Sequence, residues 1–358
     1  LMGLYKYNRV PKNHMFARTT KDGLFADGIG AGFGKGFMHE LVNIDKIHDA
    51  TWTIAHELGH VNQIRPGLKW VSTTEVTNNV YSSYIQHHFT PNNLRLEHER
   101  INDGDGNNLI GGRFNSYLNY GVIKGDQWLC QKGPDKMKDY EYGGDHFVKL
   151  CPLWQLMLYY RIASKAPWAK PDWYGDIAEI VRNTDDQNMS NGQHQLNFMK
   201  NACDVIGEDL TDFFIKSGML KPIDKELDDY TRGRLTITQK DCDNLVKYAS
   251  KYPKPQSPVI YYLSGNSVKA YENKKPVTGV YKTGLTSYID KGYVIIDSKL
   301  WQHAVAYETY SGDTLTKASI PGTGYRDCLS TEVSYPLGST RIEAVSWDGR
   351  RTLVYGAR

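Results

Sequence analysis

The sequence predicts an α+β fold in two parts. A mixed and then mainly helical stretch comes first, and a small immunoglobulin-like β-sandwich follows it. Three observations carry the prediction. Apolar residues recur at helical spacing in several segments between residues 47 and 250. A stretch with three prolines, 252–258, then interrupts the pattern. Beyond it lie short β-branched and aromatic runs divided by turn formers. The division expected is 1–225, then a helix and proline-rich linker over 226–257, then the sandwich over 258–358.

Residues 1–46 are glycine-rich and end in the run from Gly28 to Gly36. That run matches neither the phosphate-loop spacing nor the dinucleotide fingerprint, so it reads as a flexible loop or an edge that another backbone approaches. Helices are expected over 51–64, 75–89, 152–162, 173–181, 196–202 and 210–217. Asp103-Gly104-Asp105-Gly106-Asn107 opens like a calcium loop, but Asn108 stands where glycine is needed and Phe114 where glutamate is. Strands are expected over 259–263, 293–296, 304–310, 342–347 and 352–355, with turns at Ser311-Gly312-Asp313 and Asp348-Gly349-Arg350. About a hundred residues patterned this way suit a β-sandwich.

Composition narrows the class. Of 358 residues 40% are hydrophobic, as in ordinary globular proteins. Lys plus Arg number 43 against 40 Asp plus Glu, and this net charge of +3 is too small and dispersed to argue for a nucleic-acid partner. No apolar run approaches the roughly 18 residues of a membrane helix. The five cysteines are scattered without framework spacing. The first residues lack the pattern of a signal peptide, and a start at Leu1 suggests a fragment of something longer.

The strongest chemical signal is His56-Glu57-Leu58-Gly59-His60. On a helix, residues four apart share a face, so both imidazoles project to one side and suit two nitrogen ligands on one Zn²⁺. Glu57 then lies where it could take a proton from an attacking water. Gly59 leaves room for close backbone packing. A catalytic zinc site usually takes three protein ligands, and the next acidic residue is Glu75, opening another apolar-periodic segment. Ser72-Thr73-Thr74-Glu75 also matches a capping box, which needs no metal. Glu97 and Glu99 are the reserves, although Glu97-His98-Glu99-Arg100 reads more simply as a solvated face. Asn79, one turn past Glu75, is placed to accept the free N–H of a liganding histidine. His87 and His88 are adjacent and point apart, which disfavours a second metal.

HELGH, Trp70 and Thr74-Glu75-Val76-Thr77-Asn78-Asn79 together resemble the M60-like, enhancin-related zinc metallopeptidases. Similar in the same way are Arg9-Val10-Pro11-Lys12-Asn13-His14-Met15, Asp145-His146-Phe147-Val148-Lys149-Leu150 with Trp154-Gln155-Leu156, and Asn201-Ala202-Cys203-Asp204 with Asp209-Leu210-Thr211-Asp212-Phe213-Phe214. The resemblance covers most of residues 8–220. It implies a zincin-like, Glu-ligand (gluzincin) fold, some of whose N-terminal strands precede Leu1. It also implies a secreted or surface-attached endopeptidase acting on O-glycosylated, mucin-like proteins, with zinc on His56, His60 and Glu75 and Glu57 as the catalytic glutamate. A monomer is expected.

The oxyanion formed during hydrolysis needs a donor, and Tyr142 and His146 are the candidates, in a Gly-Gly loop that reads equally as a surface turn. Trp70, Tyr81 and Asp145 could contact a sugar, or could belong to the core. Alternating Phe16, Arg18, Thr20 and Leu24, Ala26 could form an edge strand that pairs with substrate. Two other readings compete: a zinc peptidase indifferent to glycans, and a surface adhesin that binds glycoprotein without cutting it.

Overall fold

The computed structural model describes the chain except residues 11–15, 28–29, 44, 92–93, 99–111, 134–143, 164, 323–328 and 358. Strands β1 (Phe16–Thr20), β2 (Leu24–Ala26) and β3 (Gly30–Gly34) form a sheet ordered β1-β3-β2, with β3 parallel to β1 and antiparallel to β2. The glycine run therefore supplies the central strand, not a loop or an edge. All of β3 is buried, and a Cβ on Gly32 would lie 2.6 Å from the Phe25 ring, so the ring lies directly over this glycine and would have to swing aside for a larger residue. Helix α1 (Lys35–Leu41) follows, then α2 (Ile47–Asn62), which packs against β2 and β3.

Buried Trp52 and Ala55 anchor α2. The helix stops where Gln63 turns extended. Helices α3 (Thr74–Thr77) and α4 (Asn79–Phe89) come next, and α4 lies along α2. A Cβ on Gly59 would meet the Asn78 carbonyl oxygen at 2.8 Å, so this glycine lets the two helical segments close on each other. After α5 (Arg95–His98) and α6 (Gly112–Tyr117) comes α7 (His146–Met157), buried at every residue from Val148 to Met157. A helix enclosed all round is a core helix. Helices α8 (Trp173–Arg182), α9 (Asn191–Ile206) and α10 (Thr211–Lys216) complete this part, and one apolar core joins Trp70, Val76, Phe114, Trp154, Ile177 and Phe198.

The region expected as helix and linker holds a helix, but a hairpin precedes it. Strands β4 (Ile223–Asp229) and β5 (Thr231–Ile237) form a hairpin, followed by α11 (Gln239–Ala249). A boundary at 225/226 would cut β4, where Lys225 pairs with Leu235 and Glu226 with Arg234. The proline-rich stretch is docked: Asp209 N donates to Pro253 O at 2.8 Å, and buried Ser257 donates to the Trp347 carbonyl. Residues 259–263, expected as a strand, contain a 3₁₀ turn, and α12 (Val268–Asn273) follows.

The remaining strands are β6 (Leu285–Tyr288), β7 (Tyr293–Asp297), β8 (Ala306–Ser311), β9 (Thr314–Ser319), β10 (Ser330–Ser334), β11 (Arg341–Val345) and β12 (Arg351–Gly356). They make two antiparallel sheets, ordered β10-β7-β6 and β12-β11-β8-β9. Val294, Ile296, Tyr307, Val333, Ile342 and Val354 form a second apolar core. This region is tied firmly to the helices. Asn119 exchanges hydrogen bonds with the Ala318 backbone, and Asn115 accepts from Ile320 N at 2.9 Å. Buried Glu308 accepts from Tyr262 Oη at 2.7 Å and from Arg351.

Candidate metal centre

Four residues apart on α2, His56 and His60 do share a face, their rings nearly perpendicular with centroids 4.7 Å apart. The Nε2 atoms are 3.2 Å apart. Glu75, the second residue of α3, puts Oε2 at 3.2 Å from His56 Nε2 and 3.3 Å from His60 Nε2. Zinc bonds of about 2.0–2.1 Å to tetrahedral ligands imply ligand–ligand edges of roughly 3.3–3.4 Å. The three atoms thus stand as three corners of such a tetrahedron, and the donor set fits a zinc-type cation.

Hydrogen bonds fix which nitrogen faces the centre. Asn79 Nδ2 donates to the Glu75 carbonyl at 2.8 Å, which turns its Oδ1 toward His56 Nδ1 at 2.9 Å. The Nδ1–H therefore donates to Asn79, and Nε2 keeps its lone pair for a cation. His60 is held in the same way by a residue that the sequence reading passed over. Gln63 Nε2 donates to Thr74 O at 2.9 Å and Thr77 Oγ1 at 2.7 Å, leaving Oε1 to accept from His60 Nδ1 at 3.3 Å. Its only sequence signal was its position three residues after His60. Asn78 was also missed: its Nδ2 sits 3.0 Å from His60 Nε2 and 3.2 Å from His56 Nδ1, so its amide faces both rings.

Glu57 stands beside the triangle, Oε1 4.0 Å from His56 Nε2. With His56 and His60 it makes a cluster able to hold a metal. Glu75 is nearer to the His56 nitrogen than Glu57 is, and its distances to both imidazoles, unlike the 4.0 Å of Glu57, match a tetrahedral edge. Glu57 is buried, and its Oε2 has no hydrogen-bond partner among the described residues. Burial pushes its carboxyl pKa up against the pull of the two histidines. Burial also works against ionised Glu75, but its pairing with His56 and His60 in their protonated form outweighs burial and holds the carboxyl far below the usual carboxylate range. For His56, burial lowers the pKa, yet Glu75 and Asn79 outweigh it and the net shift is upward.

The other expected site residues make contacts of their own. Asp145 caps α7, accepting from Phe147 N at 2.9 Å and Val148 N at 3.1 Å, so its carboxylate is engaged in the fold rather than offered to a ligand. His146 Nε2 lies 2.9 Å from both oxygens of Asp229, and its ring meets Tyr230 at 5.6 Å. Tyr142 and Glu99 lie outside the described residues, as does the calcium-like sequence. Glu97 is no solvated face: it is buried and accepts from Gly265 N at 2.9 Å and Trp154 Nε1 at 3.3 Å. Trp70 is enclosed between Trp128 and Phe198 and belongs to the core, whereas Tyr81 packs on Tyr174 and is only half-buried. Strand β2 is an edge of the described sheet, with Leu24 and Phe25 exposed.

No curated protein matches the chain. Among solved structures, a metallopeptidase in complex with Tn antigen is 21% identical with a TM-score of 0.67 over 99% of this chain, and a metallopeptidase from Bacteroides thetaiotaomicron is 21% identical with a TM-score of 0.68 over 99%. The chain spans 64% and 58% of those two proteins, respectively. The M60 catalytic domain of Clostridium perfringens ZmpC, in complex with the sialyl T antigen, is 16% identical with a TM-score of 0.53 over 95% of this chain and 57% of that one. At these identities the likeness establishes the fold, that of an M60 metallopeptidase with mixed helices and sheets. A family model matches residues 1–218, which include the whole of the His56–Glu75 centre, and on that match the chain belongs to the family of peptidase M60, enhancin and enhancin-like proteins.

Proposed function

We propose that the chain is a zinc-dependent endopeptidase of the HExxH…E class that hydrolyses peptide bonds in O-glycosylated, mucin-like proteins. The observation that carries the chemistry is the triangle of His56 Nε2, His60 Nε2 and Glu75 Oε2 with 3.2–3.3 Å edges, beside the unpartnered carboxylate oxygen of Glu57. A bound zinc supplies Lewis acidity and lowers the pKa of water toward neutrality. His56, His60 and Glu75 hold the ion, and Asn79 and Gln63 keep the two imidazoles in the liganding tautomer. Glu57 accepts the proton of the attacking water on its unpartnered oxygen and returns it to the leaving nitrogen. Burial raises its proton affinity toward what such a shuttle needs. The exposed edge of β2 is where an extended substrate would add as a strand.

The glycoprotein preference is supported by the glycan antigens bound to two of the similar metallopeptidases. Such substrates lie outside cells, and the reading has the enzyme secreted or on the cell surface and acting as a monomer. Among the described residues no helix is long and apolar enough to cross a membrane. In this reading the domain organisation is a peptidase part, a hairpin-and-helix connector and a C-terminal module of immunoglobulin-like topology. Support for the last comes from the strand orders of the two antiparallel sheets. The test is digestion of an O-glycosylated mucin fragment with and without chelator, and before and after enzymatic deglycosylation, by the parent and Glu57→Gln. Cleavage that needs metal, sugar and Glu57 is expected. Cleavage that survives Glu57→Gln refutes the mechanism, cleavage indifferent to deglycosylation refutes the glycan preference, and binding without cleavage makes the chain an adhesin.

A further inference from the structure

A buried ion pair lies just outside the metal-binding side chains. Lys149, in the first part of α7, has a fully enclosed side chain. Its ammonium donates to Asp229 Oδ2 at 3.0 Å, Ser72 O at 2.9 Å and Ser72 Oγ at 2.8 Å. Ser72 Oγ donates in turn to Asp229 Oδ2 at 3.1 Å. One cation thus joins α7, the end of β4 and the turn that leads into α3.

That turn needs holding. Ser72 has φ +64, a conformation that a side-chain-bearing residue keeps only when its surroundings over-determine it. It lies three residues before Glu75. Helix α3 has only four residues, and its N-cap Thr73 makes no side-chain capping bond. One turn of helix is not stable alone, so its direction is inherited from the chain on either side. Asn79 and Gln63 lock the histidines, while Glu75 has to arrive from this short segment. An enclosed ammonium is costly unless paired, and apolar side chains could fill the same volume as stably. A charged cluster here therefore points to a requirement of geometry.

We propose that Lys149 and Asp229 form a positioning clamp which, through Ser72, fixes the direction in which α3 presents the Glu75 carboxylate to His56 and His60. The proposal rests on the reading of Glu75 as a metal ligand. Loss of the clamp lets Oε2 drift from a position where its 3.2–3.3 Å distances already match the tetrahedral edge. The site then binds zinc less tightly although all three ligands remain.

The experiment measures zinc affinity by competition with a chromophoric chelator, with the visible spectrum of the cobalt(II) form as a second readout. It compares the parent, Glu75→Ala, the double variant Lys149→Met/Asp229→Leu and Ser72→Gly. Removing both charges together leaves neither member of the ion pair unpaired, although His146 loses its 2.9 Å contacts with Asp229, so the double variant should melt only modestly below the parent. It should bind zinc about 10–100-fold more weakly, the usual loss when a supporting partner of a ligand is removed, with a changed cobalt spectrum. A folded double variant with the parent's affinity and spectrum overturns the clamp. If the double variant does not fold, Ser72→Gly decides, because glycine takes this backbone conformation without strain. Glycine keeps the Lys149 bond to the residue 72 carbonyl but loses both Oγ bonds, so zinc binding weaker than the parent's is expected there, and parental affinity overturns the clamp through Ser72. A parent that binds no zinc, or a Glu75→Ala protein that binds it as tightly as the parent, overturns the reading of Glu75 and the clamp with it.

Discussion

Replacing Glu97 with Gln should change how stability depends on pH. The Glu97 carboxyl is buried, and burial drives its pKa up from an ordinary 4.5 to about 7, against the hydrogen bonds donated by Gly265 N and Trp154 Nε1. Both of those bonds land on Oε1, and Oε2 has no partner among the described residues. The sign follows from which state releases its proton first. Below pH 4.5 both folded and unfolded chains hold it, and the contribution is fully present. As pH rises the unfolded chain ionises first and stability falls, until the folded carboxyl also ionises near pH 7 and the loss is complete. A gap of about 2.5 units at about 1.4 kcal/mol each makes the whole loss about 3 kcal/mol, most of it between pH 5 and pH 8. Glutamine keeps the shape and the Oε1 acceptor but does not titrate. Unfolding of parent and Glu97→Gln, followed in matched buffers from pH 5 to pH 8, should show the parent losing stability relative to the variant by about 2–3 kcal/mol. A difference that stays flat across that range would refute the assignment of a protonated, buried Glu97.

Other consequences can be tested separately. Asn79→Ala leaves His56 free to adopt either tautomer, and zinc affinity measured by chelator competition should fall about 10–100-fold with little change in melting temperature. An unchanged affinity would mean that the 2.9 Å bond to His56 does not set the tautomer. Gly59→Ala puts a methyl 2.8 Å from the Asn78 carbonyl, on backbone that has little room to retreat, and should cost about 1–3 kcal/mol in thermal or denaturant unfolding. A neutral result would show that α2 and the α3–α4 junction separate easily. Asp145→Ala removes the acceptor for two N–H groups of α7 and should destabilise the fold by about 0.5–2 kcal/mol without lowering zinc affinity. A selective loss of zinc affinity would contradict its assignment as a cap.

Much of the centre was legible because local periodicity determines it. The spacing of His56, Glu57 and His60 on one helix and the one-turn separation of Glu75 from Asn79 both translate directly into side chains on a common face. Gln63 was not legible, since it lies past the end of α2, where helical spacing no longer predicts direction. Asp145 could have been recognised: an aspartate just before an apolar helical run is an N-cap signal, but the neighbouring glycines gave it the texture of a loop. Glu97 misled because its charged neighbours suggest solvent, whereas Trp154 and Gly265, distant in sequence, enclose it. The same distance effect made 252–258 look like a spacer, although Ser257 is fixed by Trp347 ninety positions away. In β4, charged residues at exposed positions hid the alternation that buries Leu227 and Asp229. The strands around 293–296 and 342–345 stood out because β-branched and apolar residues are concentrated there.

The most direct measurement is an anomalous diffraction map of a zinc-soaked crystal, recorded across the zinc absorption edge. The account predicts one strong peak about 2.0–2.2 Å from His56 Nε2, His60 Nε2 and Glu75 Oε2, with Glu57 near but not bonded to it. A peak that includes Glu57 in place of Glu75, or a Glu75 side chain turned away from the two imidazoles, would contradict it.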